Sequence, residues 1–131
     1  METIKNLFQN ADWKKEKHIP VIYAPSKAKK GDNIRIEVSV GKEIPHPNTT
    51  EHHIASIEIY FLPQKGKFPY VLAKIDFSAH GSSTEGPNTS GVYTLPSATI
   101  NFKTESSGTI YAVSYCNIHG LWKNSFDIVV E

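Results

Sequence analysis

Apolar residues recur at every second position through most of this chain, and that alternation constrains its fold more than any other feature. "NIRIEVSV" sets Ile34, Ile36, Val38 and Val40 on one face. "VLAKIDF" groups Val71, Ala73, Ile75 and Phe77, "ATINFK" groups Ala98, Ile100 and Phe102, and "SFDIVV" groups Phe126, Ile128 and Val130. "IASIEIYFL", with Ile57, Ile59 and Phe61 on one side, and "GTIYAVSYC" read as two further strands. Successive side chains of a strand point to opposite faces, so each run describes a strand with one buried face. Turn-forming stretches separate them: "KKGDN", "PHPNTT", "PQKGKFP", "HGSSTEGPN" and "TESSGT". No segment carries a capped helical stripe. The expectation is an all-β, immunoglobulin-like antiparallel β-sandwich. Its length of 131 residues suits a single domain over residues 1–131. Only one cysteine is present, so the inter-sheet disulfide of antibody domains is excluded.

Charge narrows the function. Fourteen basic and 13 acidic residues leave a formal net charge of +1, so there is no global field to gather nucleic acid or anionic lipid. Any electrostatic role is local. The short basic clusters "WKKEK" and "SKAKKGD" read as solvated surface. The N-terminal stretch lacks the apolar core of a signal peptide, and no run approaches the roughly 18 apolar residues of a membrane helix. With a single cysteine, this points to a reducing cytoplasm and to no membrane or nucleic-acid partner.

Six histidines stand out: His18, His46, His52, His53, His80 and His119. Nearly all fall in joints or at strand ends, and loops at the end of a sandwich bring distant sequence together. In "GKEIPHPNTTEHHI", Pro45 and Pro47 flank His46 and hold it extended. Asn48, Thr49 and Thr50 favour a chain reversal that returns His52 toward His46. His52 and His53 are adjacent, so in an extended chain only one of them faces a shared site. Uninterrupted alternation would choose His53, on the same face as Ile57 and Ile59. "KKEKHIP" adds His18 after Glu16 and Lys17, while nothing near His80 has ligand spacing.

Cys116 and His119 form a C-x-x-H unit after a strand, with Gly120 giving room to turn. The unit fits a buried thiol, a nucleophile or a metal ligand, and no familiar cysteine-protease signature accompanies it. Structural zinc more often takes several cysteines. A cupredoxin-like copper carrier could use His46, Cys116 and His119, although the only methionine is Met1. Non-haem iron suits many imidazoles with one soft donor and an open position.

Together, "EKHIP", "GKEIPHPNTTEHHI", "HGSSTEGPNTSGVYT" and "YCNIHGLW" resemble superoxide reductase of the neelaredoxin type, in order and along nearly the whole chain. The related desulfoferrodoxins carry an extra four-cysteine iron domain, so the resemblance is to the one-iron class. It implies a β-sandwich with a mononuclear iron in loops at one end. By motif, His18, His46, His52 and His119 would be four imidazole ligands in a plane and Cys116 the axial thiolate. This selects His52 over His53, which requires a turn before the strand. Glu16 would occupy the sixth position in the oxidised form, and Lys17 would stand beside the open site. The implied activity is one-electron reduction of superoxide to hydrogen peroxide, with iron re-reduced by an external donor. Rubredoxin as donor and a homotetrameric assembly are also implied by the resemblance. The site's net charge of about +1 with Fe(II), and Lys17 beside it, would steer the anion in.

Overall fold

The computed structural model describes residues 4, 7–12 and 14–131. Eight strands follow in order: β1 (Val21–Tyr23), β2 (Lys27–Ala28), β3 (Ile34–Ser39), β4 (Ile54–Pro63), β5 (Tyr70–Asp76), β6 (Ser97–Phe102), β7 (Gly108–Cys116) and β8 (Gly120–Val130). They form a three-stranded sheet, β1-β3-β6, and a five-stranded sheet, β2-β8-β7-β4-β5. Every pairing is antiparallel except the two-residue edge contact of β2 with β8, which is parallel. The inner faces meet in one core of Ile34, Ile36, Val38, Ile57, Ile59, Ile110 and Ile128, all nearly inaccessible to water. Burying such β-branched side chains contributes about 1.5–3 kcal/mol each. The all-β sandwich expected from the alternation is therefore present.

Two β-bulges change the phase of that alternation. In the β4–β5 ladder, Ile59 pairs with Ala73 and Tyr60 with Val71, which leaves Leu72 as an extra residue. Leu72 turns to the core, and Val71 is exposed, contrary to its expected place beside Ala73 and Ile75. In the β4–β7 ladder, Ile54 pairs with Cys116 and Ser56 with Tyr115, so Ala55 is extra. The bulged Ala55 carbonyl accepts the Phe77 N–H at 2.8 Å. Ile54 and Ile57 are consequently both buried although three positions apart.

The antiparallel registers bring particular loops to one end. The start of β1 lies beside the end of β3, with Val21 opposite Ser39. The end of β7 lies between the starts of β4 and β8, with Cys116 opposite both Ile54 and Gly120. The end of β5 and the start of β6 reach the same edge, through Ser56 opposite Asp76 and Ser39 opposite Ser97. Residues 14–20, 40–53, 77–96 and 117–119 thus share one end of the sandwich.

Among the described residues, no helix is long and apolar enough to cross a membrane. Of the "WKKEK" cluster, Trp13 lies outside the described residues. Lys14 and Lys15 are exposed as expected, whereas Glu16 and Lys17 are half-buried. The lysines of "SKAKKGD" are exposed, although Lys27 belongs to β2.

Candidate metal centre

The site grows from four pieces of chain at that end. His18 precedes the buried pair Ile19–Pro20, which anchors its backbone in the core. The fully buried Ser114 hydroxyl donates to the His18 carbonyl at 3.0 Å. The His18 ring stacks on Trp122, with centroids 4.7 Å apart and planes within 12°. Its Nδ1 meets the Glu16 carboxylate at 2.6 Å, which leaves Nε2 facing inward.

His46 donates from Nδ1 to the Pro47 carbonyl at 2.7 Å, and its buried Nε2 has no partner. His52 follows a tight turn. The Thr49 N–H donates to the His52 carbonyl at 2.9 Å, and the His52 N–H donates to the Thr49 hydroxyl at 3.1 Å. The His52 Nε2 is likewise buried and unpartnered. The Ala55 bulge decides which of the adjacent histidines faces in. Counting back by twos from Ile57 gives His53, but the extra residue resets the count to Ile54 and so to His52. His53 stays outside the cluster, its ring lying flat on that of His80 at 3.4 Å.

Cys116 and His119 come from the β7–β8 hairpin. Its three-residue turn is Asn117–His119, and Gly120 has φ +82°, a left-handed conformation that favours glycine. Cys116 is fully buried, its sulfur 3.8 Å from His119 Nδ1, and it accepts the His119 backbone N–H at 3.4 Å. His119 Nδ1 also lies 3.1 Å from His18 Nε2.

The four imidazoles close a cycle. Successive centroid distances are 4.8 Å for His18–His46, 4.9 Å for His46–His52, 5.0 Å for His52–His119 and 4.7 Å for His119–His18. Ligand atoms of His18, His52, Cys116 and His119 all lie within 4.8 Å of one another. Buried polar atoms normally find partners, so two orphaned Nε2 atoms on neighbouring rings of this cycle are a costly arrangement unless something sits between them. A metal ion fits this donor set: imidazoles and one thiol suit a transition metal.

Electrostatics agrees. Burial pushes the His46 imidazole down to about 4, against the pull of its bond to Pro47, and the positive charges of His18, His52 and Lys17 add to the fall. Burial, then the charges of His119 and Lys17, lowers His52 as well. Both rings are therefore neutral at pH 7, with lone pairs free to coordinate. Desolvation raises the Glu16 carboxyl, but hydrogen bonds from the His18 side chain and backbone outweigh it and hold it below its ordinary value. Lys17 has no ion-pair partner among the described residues, and its charge reaches His46 and His52.

The structure thus brings together His18, His46, His52, Cys116 and His119. Glu16 joins through His18, and Lys17 through its field. A copper site of His46, Cys116 and His119 alone is disfavoured, because His18 and His52 stand in the same cluster. Sequence reasoning gave no role to Trp122, Ser114 or Asn117. Trp122 also donates to the His119 carbonyl at 3.2 Å, and Asn117 joins the two halves of the site by bonds to His53 and Glu51. The one signal for Trp122 was its place three residues after His119.

The desulfoferrodoxin family pattern matches residues 10–125. The chain is 54% identical over 121 residues to the superoxide reductase of Pyrococcus furiosus, covering 92% of this chain and 95% of that one. Its fold superposes on the superoxide reductase (neelaredoxin) of Archaeoglobus fulgidus in the reduced form with a TM-score of 0.88, at 59% identity, over 94% of this chain and 98% of the other. A Thermotoga maritima crystal structure superposes with a TM-score of 0.97 at 51% identity, over 100% of this chain and 99% of the other. On sequence and fold together, the chain belongs to the desulfoferrodoxin family.

Proposed function

We propose that this chain is a superoxide reductase, a single-domain oxidoreductase that converts superoxide to hydrogen peroxide. The observation that carries the reading is the closed cycle of four imidazoles beside one buried thiol, with two buried Nε2 atoms left without partners. The chain's similarity to the Pyrococcus furiosus superoxide reductase supports it.

Iron is the metal we assign to the site, held by His18, His46, His52 and His119 with Cys116 as the thiolate. When bound there, it supplies the single electron that, with two protons, turns superoxide into hydrogen peroxide. The protein's own part is electrostatic and positional. Burial keeps His46 and His52 neutral, so neither of these rings adds a charge of its own to the site. The half-buried Lys17 adds a positive charge whose field reaches both rings, which favours approach of an anion. Glu16 holds the outer nitrogen of His18, a contact that fixes the tautomer and orientation of a ligating ring. Glu16 would also be a residue that holds the metal in its oxidised form, and to do so its carboxylate would release His18 Nδ1. The described residues include no second cluster of metal-binding side chains, so the electron that restores the site comes from outside. The family resemblance favours rubredoxin as that donor and a homotetramer as the assembly, and the lone cysteine fits a cytoplasmic setting.

The test is stoichiometric. Superoxide consumed by the reduced protein should yield peroxide without dioxygen, with one iron per chain. Dioxygen and peroxide together would make it a dismutase, and copper or zinc at full occupancy without iron would sink the reading.

A further inference from the structure

The four imidazoles are not held alike. His18 has its outer nitrogen on Glu16, and His46 has its outer nitrogen on Pro47. His52 has no such hydrogen bond: among the described residues neither ring nitrogen finds a partner in the protein. A metal-ligating histidine usually gives its second nitrogen to a fixed acceptor, which sets the ring's orientation. His52 must be aimed by its backbone instead, and the backbone just before it is gripped from outside.

The grip comes from residues 80–94. Asn88 has φ +57° and is the one non-glycine among the described residues in the left-handed region. That conformation is uncommon outside glycine, although asparagine tolerates it better than most. From it, Asn88 commits all of its hydrogen-bonding groups but its carbonyl to the segment before His52. Its backbone N–H donates to the Thr50 hydroxyl at 3.0 Å, and its Oδ1 accepts the Thr50 N–H at 2.9 Å. Its Nδ2 donates to both Glu51 carboxylate oxygens at 2.9 Å. The Thr50 hydroxyl in turn donates to the His80 carbonyl at 2.5 Å, and the His80 ring carries that of His53. The supporting loop is itself tightly closed. Gly81 has φ +86°, and a Cβ there would meet the Tyr93 ring at 2.5 Å.

We propose that Asn88 is a positioning residue that aims His52 at the metal by clamping Thr50 and Glu51. This rests on the metal-centre reading above and deepens it. The clamp does for His52 what Glu16 and Pro47 do for their rings, but through two residues of backbone.

The experiment uses the metal-free full chain titrated with Co(II), followed by the thiolate-to-metal charge-transfer band. Asn88→Gly removes the side-chain bonds and keeps a residue suited to the left-handed conformation, so the fold should melt as the parent does. We expect Co(II) to bind about tenfold more weakly, the lower end of the effect of losing an outer-shell partner. In a His52→Ala background the same change should add almost nothing, because Asn88 acts through that ring. Parent-like Co(II) affinity in Asn88→Gly would overturn the inference, as would a loss that persists undiminished without His52. A parent chain that shows no thiolate band with Co(II) would overturn the metal-centre reading itself, which is a separable result.

Discussion

His18 and His52 occupy opposite corners of the imidazole cycle, and they are built by opposite means. Around His18 the supports are side chains: Ser114 on its carbonyl, Glu16 on its ring nitrogen and Trp122 against its face. Two of these three supports come from strands β7 and β8, so that corner is part of the sheet. Around His52 the supports are turns: Thr49 closes on its backbone, and Asn88 fixes the two residues before it. One corner is rigid because the core is rigid. The other is rigid only as far as its loops hold one another, and such regions open at lower free energy than core strands.

Lys17 spans this contrast and should give the largest effect. It is bonded in sequence to His18, yet its charge falls on His46 and His52. Lys17→Ile should slow the encounter with superoxide by about tenfold at low salt and flatten its ionic-strength dependence. Stopped-flow rates across a salt series would show this with the metal content held constant. An unchanged rate and slope would remove Lys17 from the steering role.

The rigidity of the corners can be compared directly. Ser114→Ala takes a donor from a fully buried pair and should destabilise the fold by about 1–3 kcal/mol. Thr49→Val removes the acceptor of the half-buried His52 N–H and should cost about 0.5–1.5 kcal/mol. Denaturant unfolding of both variants orders them. If the Thr49 variant is the less stable, the turn is not the softer corner.

The same contrast governs what could be read from the residues. Strands β3, β4, β6 and β7 are legible because each has one buried and one wetter face, and alternation records that. β1 and β2 are too short, at three and two residues, to show a period. The first half of β8 is half-buried on both sides, so "GLWKN" looks like loop although its ladder to β7 begins at Gly120. His18, His46, Cys116 and His119 were visible as ligand types at strand ends. The choice between His52 and His53 was not visible in the period, because it turns on the bulge at Ala55. A bulge depends on the partner strand's register, and local alternation carries no record of it. Asn88 was hidden for a related reason. Its partners lie 37 and 38 residues away in sequence, and only the closing of residues 77–96 over the same end brings them together.

Acid should undo the corners in order. For the metal-free chain, His46 and His52 are held below their ordinary range, His46 at about 4, chiefly by burial. A base with a lowered folded pKa binds fewer protons folded than unfolded. Its contribution is intact above the unfolded value of about 6.5 and is lost as pH falls toward about 4. Glu16 is also lowered, but from 4.5, so the stability it lends the His18 corner is intact through most of that window and is lost only as pH falls below about 4.5. Thermal unfolding of the metal-free protein should therefore show a gradual loss between about pH 6.5 and 4, then a second below about 4.5. His46→Ala should flatten the first slope and leave the second, and Glu16→Gln should do the reverse. A single slope that both variants reduce equally would mean that the corners titrate as one unit, and the division between sheet-held and loop-held ligands would fail.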